Sequence, residues 1–175
     1  VLTISVHQEK NYPLNTGDVE DRGNGAGLGT NVNIPLPPGV GHDGYVEVME
    51  RIIVPAIEAF NPDIIIVASG YDASAFDPLS RMLATAETFT EMTRMLMRVA
   101  DDHSDGKLVC VHEGGYSEAY VPFCGHAVMT ELAQSEICAP DPMQDTLRIR
   151  QPNERVRAFH SELISEMAAI FNSPA

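Results

Sequence analysis

Basic residues are scarce in this sequence of 175 residues. It has 11 lysine and arginine residues against 25 aspartate and glutamate residues, which gives a formal net charge of -14 at pH 7. A protein that binds nucleic acid electrostatically needs a basic face, so we expect no direct nucleic-acid partner. The acidity fits solubility by itself, and it also fits a cationic partner.

The features of membrane and secreted proteins are also missing. No run approaches the roughly 18 apolar residues that a membrane helix needs, and the opening VLTISVHQ lacks the basic start of a signal peptide. Cys110, Cys124 and Cys138 form no C-x-x-C pair, so we expect reduced thiols and no cysteine-based zinc site. These absences predict a cytoplasmic protein. Because the chain opens inside a strand-like run without Met, we also expect a fragment.

Apolar runs that are typical of strands alternate with amphipathic segments that are typical of helices. We expect strands at 1–6, 32–36, 64–68 and 107–112, and helices near 45–60, 85–102, 120–134 and 156–170. Ile64–Ala68 consists of β-formers without alternation, which fits a parallel strand covered on both faces. This order predicts a single α/β domain with a largely parallel sheet.

Three local signals predict where these elements begin, bend and end. Pro55 should kink or restart the first helix. Thr88 followed by Glu91 fits a capping box at the start of the second helix. Residues 139–151 have no clear periodicity, so we expect a loop there.

Polar residues follow three of the predicted strands. His7 follows the first strand, Asp72 follows the third and Tyr116 follows the fourth. Ligands of parallel sheets bind at the carboxyl ends of the strands, so this convergence predicts a functional site. Each residue also has a plainer interpretation, since Asp72 could cap a helix, Tyr116 could be a turn residue and His7 could be a satisfied buried histidine. The glycine-rich stretch 23–29 precedes a strand, which does not fit a nucleotide-binding loop.

Several motifs together resemble one known family. The motifs are SVHQ, YP, NTG, PLPPG, NPDIIIVASGYDA, DPL and VHEGGYSEAYVPFCG. In this order they resemble the class II-like histone deacetylases and acetylpolyamine amidohydrolases of the histone deacetylase superfamily. The resemblance covers residues 1–135, and residues 136–175 would add a loop and a terminal helix to the same domain, 1–175. It implies a three-layer α/β/α fold of the arginase/deacetylase type around a mainly parallel sheet, present here as an incomplete carboxyl-terminal part.

The resemblance also implies a chemistry and a set of site residues. Family members hold zinc with two aspartates and one histidine, and the zinc activates water to attack an acetyl amide. Asp72 resembles one of these aspartate ligands, and Tyr116 resembles the tyrosine that donates its hydroxyl to the tetrahedral oxyanion. Four positions resemble those along the substrate tunnel: Tyr12, Leu79, Gly114 and Gly115. The Ser5 hydroxyl and the Val6 carbonyl resemble part of a structural potassium site.

Two of the family's motifs are missing from this sequence. None of its six histidines forms a His-His pair, and no D-x-H motif occurs in the corresponding context. We therefore expect a deacetylase part that is inactive alone, with acetyl-lysine or acetylpolyamine as the substrate of the whole enzyme. The alternative is a non-catalytic binding or oligomerising module. A missing half-sheet would expose an apolar edge, which predicts a homo-oligomer or association with the missing amino-terminal half.

Overall fold

The computed structural model describes residues 1–171, and its strands form two parallel pairs. The strands are β1 (Thr3–Gln8), β2 (Asn31–Leu36), β3 (Ile65–Ser69) and β4 (Leu108–His112). β1 pairs with β2, with Val6 opposite Ile34, and β3 pairs with β4, with Val67 opposite Cys110. The predicted α/β class with parallel strands is therefore confirmed. Within residues 1–171 the two pairs do not join into one sheet.

Within residues 1–171, six α-helices lie between or after these strands in the chain. They are α1 (His42–Val48), α2 (Val54–Phe60), α3 (Ala86–His103), α4 (Val121–Leu132), α5 (Gln144–Arg150) and α6 (Glu154–Phe171). A π-helical turn, Met49–Ile53, joins α1 to α2. Pro55 lies in the first turn of α2, directly after this π-helical turn, and it has no N–H to donate to the preceding turn. The expected kink or restart at Pro55 thus coincides with a change from π-helical to α-helical hydrogen bonding, while the backbone stays helical at Ile53 and Val54.

Two local expectations are wrong. Thr85, rather than Thr88, caps α3: the Thr85 hydroxyl accepts from the Thr88 N–H, and the Thr88 hydroxyl accepts from the Thr85 N–H. Thr88 and Glu91 therefore lie inside the helix. Residues 139–151 contain α5, which docks through Leu147, a side chain that is only 1% exposed. A single buried residue in a seven-residue helix leaves no periodicity to detect.

The core lies between the helices and one face of the strands. Ile34 and Leu36 of β2 are fully buried, and so is Ile164 of α6.

The three cysteines are free, and burial raises the pKa of the Cys124 thiol to about 12. In residues 1–171, none of the helices has the length and apolarity that crossing a bilayer requires.

One face of the β3–β4 pair lies open to solvent. Ile66 is 68% exposed, and Val109 and Val111, on the neighbouring strand, are 45% and 47% exposed. Ile65, whose side chain points the other way, is buried in the core. The expectation that this strand is covered on both faces therefore fails within residues 1–171. We call Ile64, Ile66, Val109 and Val111 the open sheet face.

Candidate functional site

A cavity of about 300 Å³ opens beyond the carboxyl ends of β1, β3 and β4. Six of the residues predicted from the sequence line it: Val6, His7, Tyr12, Asp72, Leu79 and Tyr116. They come from segments far apart in the chain, and the three strands bring them together. The predicted convergence at the strand ends is thus present in the structure.

The Asp72 carboxylate lies partly buried at the base of this cavity. Burial raises the pKa of this carboxyl above its ordinary value, and the nearby negative charge of Asp77 raises it further. Hydrogen bonds from the peptide N–H groups of Asp72 and Ala73 act in the opposite direction. A Cβ atom at Gly114 would lie 2.6 Å from the Asp72 Oδ2, so a side chain at this position would displace the carboxylate. A carboxylate held in this way would be stabilised by a cation.

Tyr116 extends into the same cavity from a tightly held turn. Its side chain is 55% exposed, while its backbone N–H donates to the Asp77 Oδ2 at 2.7 Å. Gly115 has φ +124°, and a Cβ there would lie 2.9 Å from the Val121 Cγ2. The turn therefore needs glycine for its conformation and for space. Its backbone is fixed, and the phenol ring remains accessible from the cavity.

The rim of the cavity joins the loop after β1 to the segment that contains Leu79. The Asn11 side-chain amide donates to the Leu79 carbonyl at 3.4 Å, and the Gln8 side-chain carbonyl accepts from the Arg81 N–H at 2.7 Å. Tyr12, which lies in this loop, is 91% exposed, and Leu79 is 59% exposed. These two apolar surfaces line an open rim rather than a closed tunnel.

The His7 ring is half-buried and lines this cavity, and both of its nitrogens have hydrogen-bond partners. Its Nδ1 lies 2.9 Å from the Ser5 hydroxyl oxygen, and its Nε2 lies 3.0 Å from the Gly17 carbonyl oxygen. Together these contacts connect β1 to the long loop that follows it. Ser5 lines a second cavity of about 390 Å³, whereas Val6 lines the first. The potassium site at Ser5 and Val6 stays a prediction.

Sequence reasoning gave no role in the site to two residues of the cavity region, Asp77 of the DPL motif and Tyr45. Asp77 is 7% exposed and accepts two backbone hydrogen bonds, one from Leu79 at 2.8 Å and one from Tyr116. The first is a local Asx turn that an Asp-Pro pair favours, but nothing in the local pattern indicates the second. Tyr45, on α1, is 4% exposed and lines the cavity, and burial raises the pKa of its phenol. The helical spacing of apolar residues predicted that Tyr45 lies in the core, but it gave no sign that Tyr45 also lines the cavity.

Among residues 1–171, no three His, Cys, Asp or Glu side chains are grouped so that they could hold a metal ion. The family resemblance implies that Asp72 would be one of the three protein ligands that a hydrolytic zinc requires.

Comparison with known proteins gives a consistent family. The family model described as the histone deacetylase domain matches residues 1–132. The chain is 48% identical over 171 residues to the histone deacetylase-like amidohydrolase of Pseudomonas aeruginosa, covering 98% of this chain and 45% of that protein. It is 41% identical over 140 residues to a probable deacetylase of Archaeoglobus fulgidus, covering 79% of this chain and 39% of the relative.

A solved structure extends the likeness to the fold. The structure of the histone deacetylase Clr3 superimposes with a TM-score of 0.77 at 28% identity, covering 97% of this chain and 27% of that one. The predicted arginase/deacetylase-like fold is thereby confirmed. The chain spans less than half the length of these relatives. Matching motifs, family model and fold agree that this chain belongs to the histone deacetylase family.

Proposed function

We propose that this chain supplies part of the active site of a zinc-dependent amide hydrolase that removes acetyl groups from acetyl-lysine or acetylpolyamine substrates. The observation that carries the proposal is the meeting of Asp72 and Tyr116 in one cavity at the strand ends. The two side chains are of the types that the family resemblance implies, a metal-ligating carboxylate and a phenol donor. The relatives named as a deacetylase-like amidohydrolase and a probable deacetylase support the same class of reaction.

Tyr116 is the residue with a direct chemical role. When water adds to the acetyl carbonyl, negative charge develops on the carbonyl oxygen, and the C–N bond then breaks to release acetate and the amine. A phenol O–H that donates to this oxygen stabilises the charge, and removing one such donor costs roughly 10²- to 10³-fold in kcat. Tyr116 can make this bond because its ring is exposed on the cavity.

Other roles in this proposal are binding roles. Tyr12 and Leu79 form apolar walls for the aliphatic part of the substrate, and Gly114 and Gly115 leave room for the chain to pass close to it. Ser5 and Val6 would contribute oxygen ligands to potassium. Because the chain provides one zinc ligand and no histidine pair, we propose that it is inactive alone and acts in the cytoplasm with an amino-terminal half.

The test uses this chain joined to an amino-terminal half, taken from the same reading frame or from the Pseudomonas aeruginosa relative. The joined protein should bind zinc by elemental analysis and hydrolyse an acetyl-lysine or acetylspermidine substrate. Tyr116→Phe should lower kcat by roughly 10²- to 10³-fold, because it removes the oxyanion donor. Tyr12→Phe is the matched control, since it removes a hydroxyl from the same cavity but keeps the apolar wall. Full kcat in Tyr116→Phe would contradict the proposed role.

A second candidate function is a non-catalytic module that assembles through the open sheet face. The exposure of Ile66, Val109 and Val111 favours it, because a contiguous apolar face in water is stabilised when a partner covers it. A second copy of this chain or an amino-terminal half would be that partner. The oligomeric state of the isolated chain distinguishes the two candidates. A self-associating chain favours the assembly module, and a monomer favours the part of a deacetylase.

A further inference from the structure

The Asp77 carboxylate connects two segments that carry the proposed chemistry. It belongs to the segment that follows β3, five residues after Asp72, and it accepts from the N–H of Tyr116 at 2.7 Å. Its other oxygen accepts from the N–H of Leu79 at 2.8 Å. Both carboxylate oxygens are thus used by backbone groups of residues that line the cavity. A carboxylate that is 7% exposed makes such charge-assisted bonds strong.

The segment that carries Asp77 is itself rigidly connected to Asp72. The Ser74 N–H donates to the Tyr71 carbonyl at 3.1 Å, and the Asp77 N–H donates to the Ser74 carbonyl at 3.0 Å, which gives two successive turns that lead from Asp72 to Asp77. Tyr71 also donates to the Gly114 carbonyl at 2.9 Å. Two bonds therefore cross between residues 71–77 and 114–116, one on each side of Gly115.

We propose that Asp77 is a positioning residue that fixes Tyr116 relative to Asp72 and Leu79. Through this bond it sets the distance between the oxyanion donor and the substrate carbonyl. The inference rests on the proposed function for the role of Tyr116, but the placement of the Tyr116 backbone does not. A shift of about 1 Å in a donor costs up to roughly 10²-fold in rate, so one buried bond at this turn is enough to matter.

The first experiment measures positioning without catalysis. Backbone amide exchange is followed by NMR in this chain and in Asp77→Asn, which keeps the shape but loses one of the two acceptors. The Tyr116 amide should exchange about 10- to 100-fold faster, as expected for loss of a hydrogen bond to a charged group. In Asp77→Asn, the exchange rates of the β4 amides should be unchanged. In the exposed control Asp102→Asn, the exchange rate of the Tyr116 amide should also be unchanged. The remaining side-chain oxygen of the variant can accept from one of the two amides, so unchanged exchange at both Tyr116 and Leu79 overturns the proposal.

A second variant covers the case in which Asp77→Asn fails to fold. Asp77→Glu keeps the charge, but its longer side chain cannot reach both amides in the same geometry. Selective loss of protection at Tyr116 or Leu79, with the sheet amides still protected, supports the proposal. Uniform loss of protection throughout the chain overturns it, because Asp77 would then be a general stabiliser of the fold.

The second experiment measures the catalytic consequence in the joined, amide-hydrolysing protein. Asp77→Asn should lower kcat by about 10- to 100-fold with KM changed less than about threefold. Added to Tyr116→Phe, it should cost almost nothing more, because the hydroxyl it positions is absent. Additive losses overturn the proposal. If the joined protein hydrolyses no amide while exchange at Tyr116 still depends on Asp77, the proposed function fails and the positioning of Tyr116 stands.

Discussion

Asp72 lines the cavity and Asp77 lies behind two of its lining residues, and these two carboxylates differ in how they are satisfied. Asp77 accepts two short hydrogen bonds from backbone N–H groups. Asp72 is balanced less well, because burial and the charge of Asp77 both raise its pKa. A carboxylate whose charged form is destabilised in the free chain is typical of a site in which a bound ligand stabilises that charge. Asp72 should thus reduce the stability of the chain without metal.

Asp72→Asn should therefore stabilise the metal-free chain at neutral pH. The substitution removes a partly buried charge beside Asp77 while keeping the side-chain shape, so the free energy of unfolding should rise by about 0.5–1 kcal/mol, the small end of single-substitution effects. Urea denaturation at pH 7 in the presence of EDTA measures it. Asp102→Asn, at an exposed position, controls for the change in net charge. A decrease in stability for Asp72→Asn alone would show that the carboxylate has a structural role.

At the scale of residues, the positions that follow the carboxyl ends of the strands predict more of the site than local motifs do. Asp72 and Tyr116 directly follow apolar runs, so their place at the sheet edge follows from the parallel order of the strands. Asp77 follows the same strand, but its role could not be predicted in this way, because its key partner lies 39 residues further along the chain. Which oxygen meets which N–H depends on the turn geometry after β3, and sequence spacing does not determine that.

Among the elements, α6 carries an ionisable side chain on its buried face. His160 is 5% exposed, beside Ile164 and Met167, which are also buried on this helix. Burial lowers the pKa of its imidazole below the ordinary value. Asp43 and Glu47 of α1, together with Arg157 of α6, line the small cavity next to it. The docking of α6 onto α1 therefore favours neutral His160.

This arrangement predicts that acid weakens the docking of α6. The unfolded chain takes up a proton at His160 near pH 6.5, whereas the folded chain does so only at its lowered pKa. Stability from this residue is thus fully present above about pH 6.5 and is lost as the pH falls towards the folded pKa. The urea midpoint should fall less between pH 7 and pH 5 in His160→Gln than in the unsubstituted chain. The exposed His112→Gln is the control, and equal slopes in all three proteins would contradict the prediction.

The elements differ in how well the sequence predicts them. Long periodic segments such as α3 and α6 were expected within a few residues of their observed bounds. The cap of α3 was misplaced by one turn because the stretch from Thr85 to Glu91 contains threonine three times, and burial of the correct pair decides between them. For β3, a run of β-formers without alternation predicted a strand covered on both faces, whereas residues 1–171 leave Ile66 exposed on one of them.

For the molecule as a whole, two opposing forces act between copies of the chain. The net charge of -14 repels them, while the open sheet face attracts an apolar partner. Burying Ile66, Val109 and Val111 would remove apolar surface from water at roughly 25 cal/mol per Å². Salt screens the repulsion but leaves the apolar attraction, so association through this face should be strongest at high ionic strength.

Val109→Lys should disrupt self-association if the chain assembles through the open sheet face. A lysine in the middle of this face would be buried without a partner, so the dimer dissociation constant should rise by at least about tenfold. Sedimentation velocity over a concentration series in 0.5 M salt measures it. Val156→Lys is the matched control, because Val156 is 39% exposed on α6, away from the face, and the substitution changes the net charge equally. If the unsubstituted chain is monomeric at every concentration, the proposed self-assembly is contradicted. An amino-terminal half then remains as the partner that would cover the open sheet face. If both lysine variants dissociate alike, association depends on net charge rather than on this face.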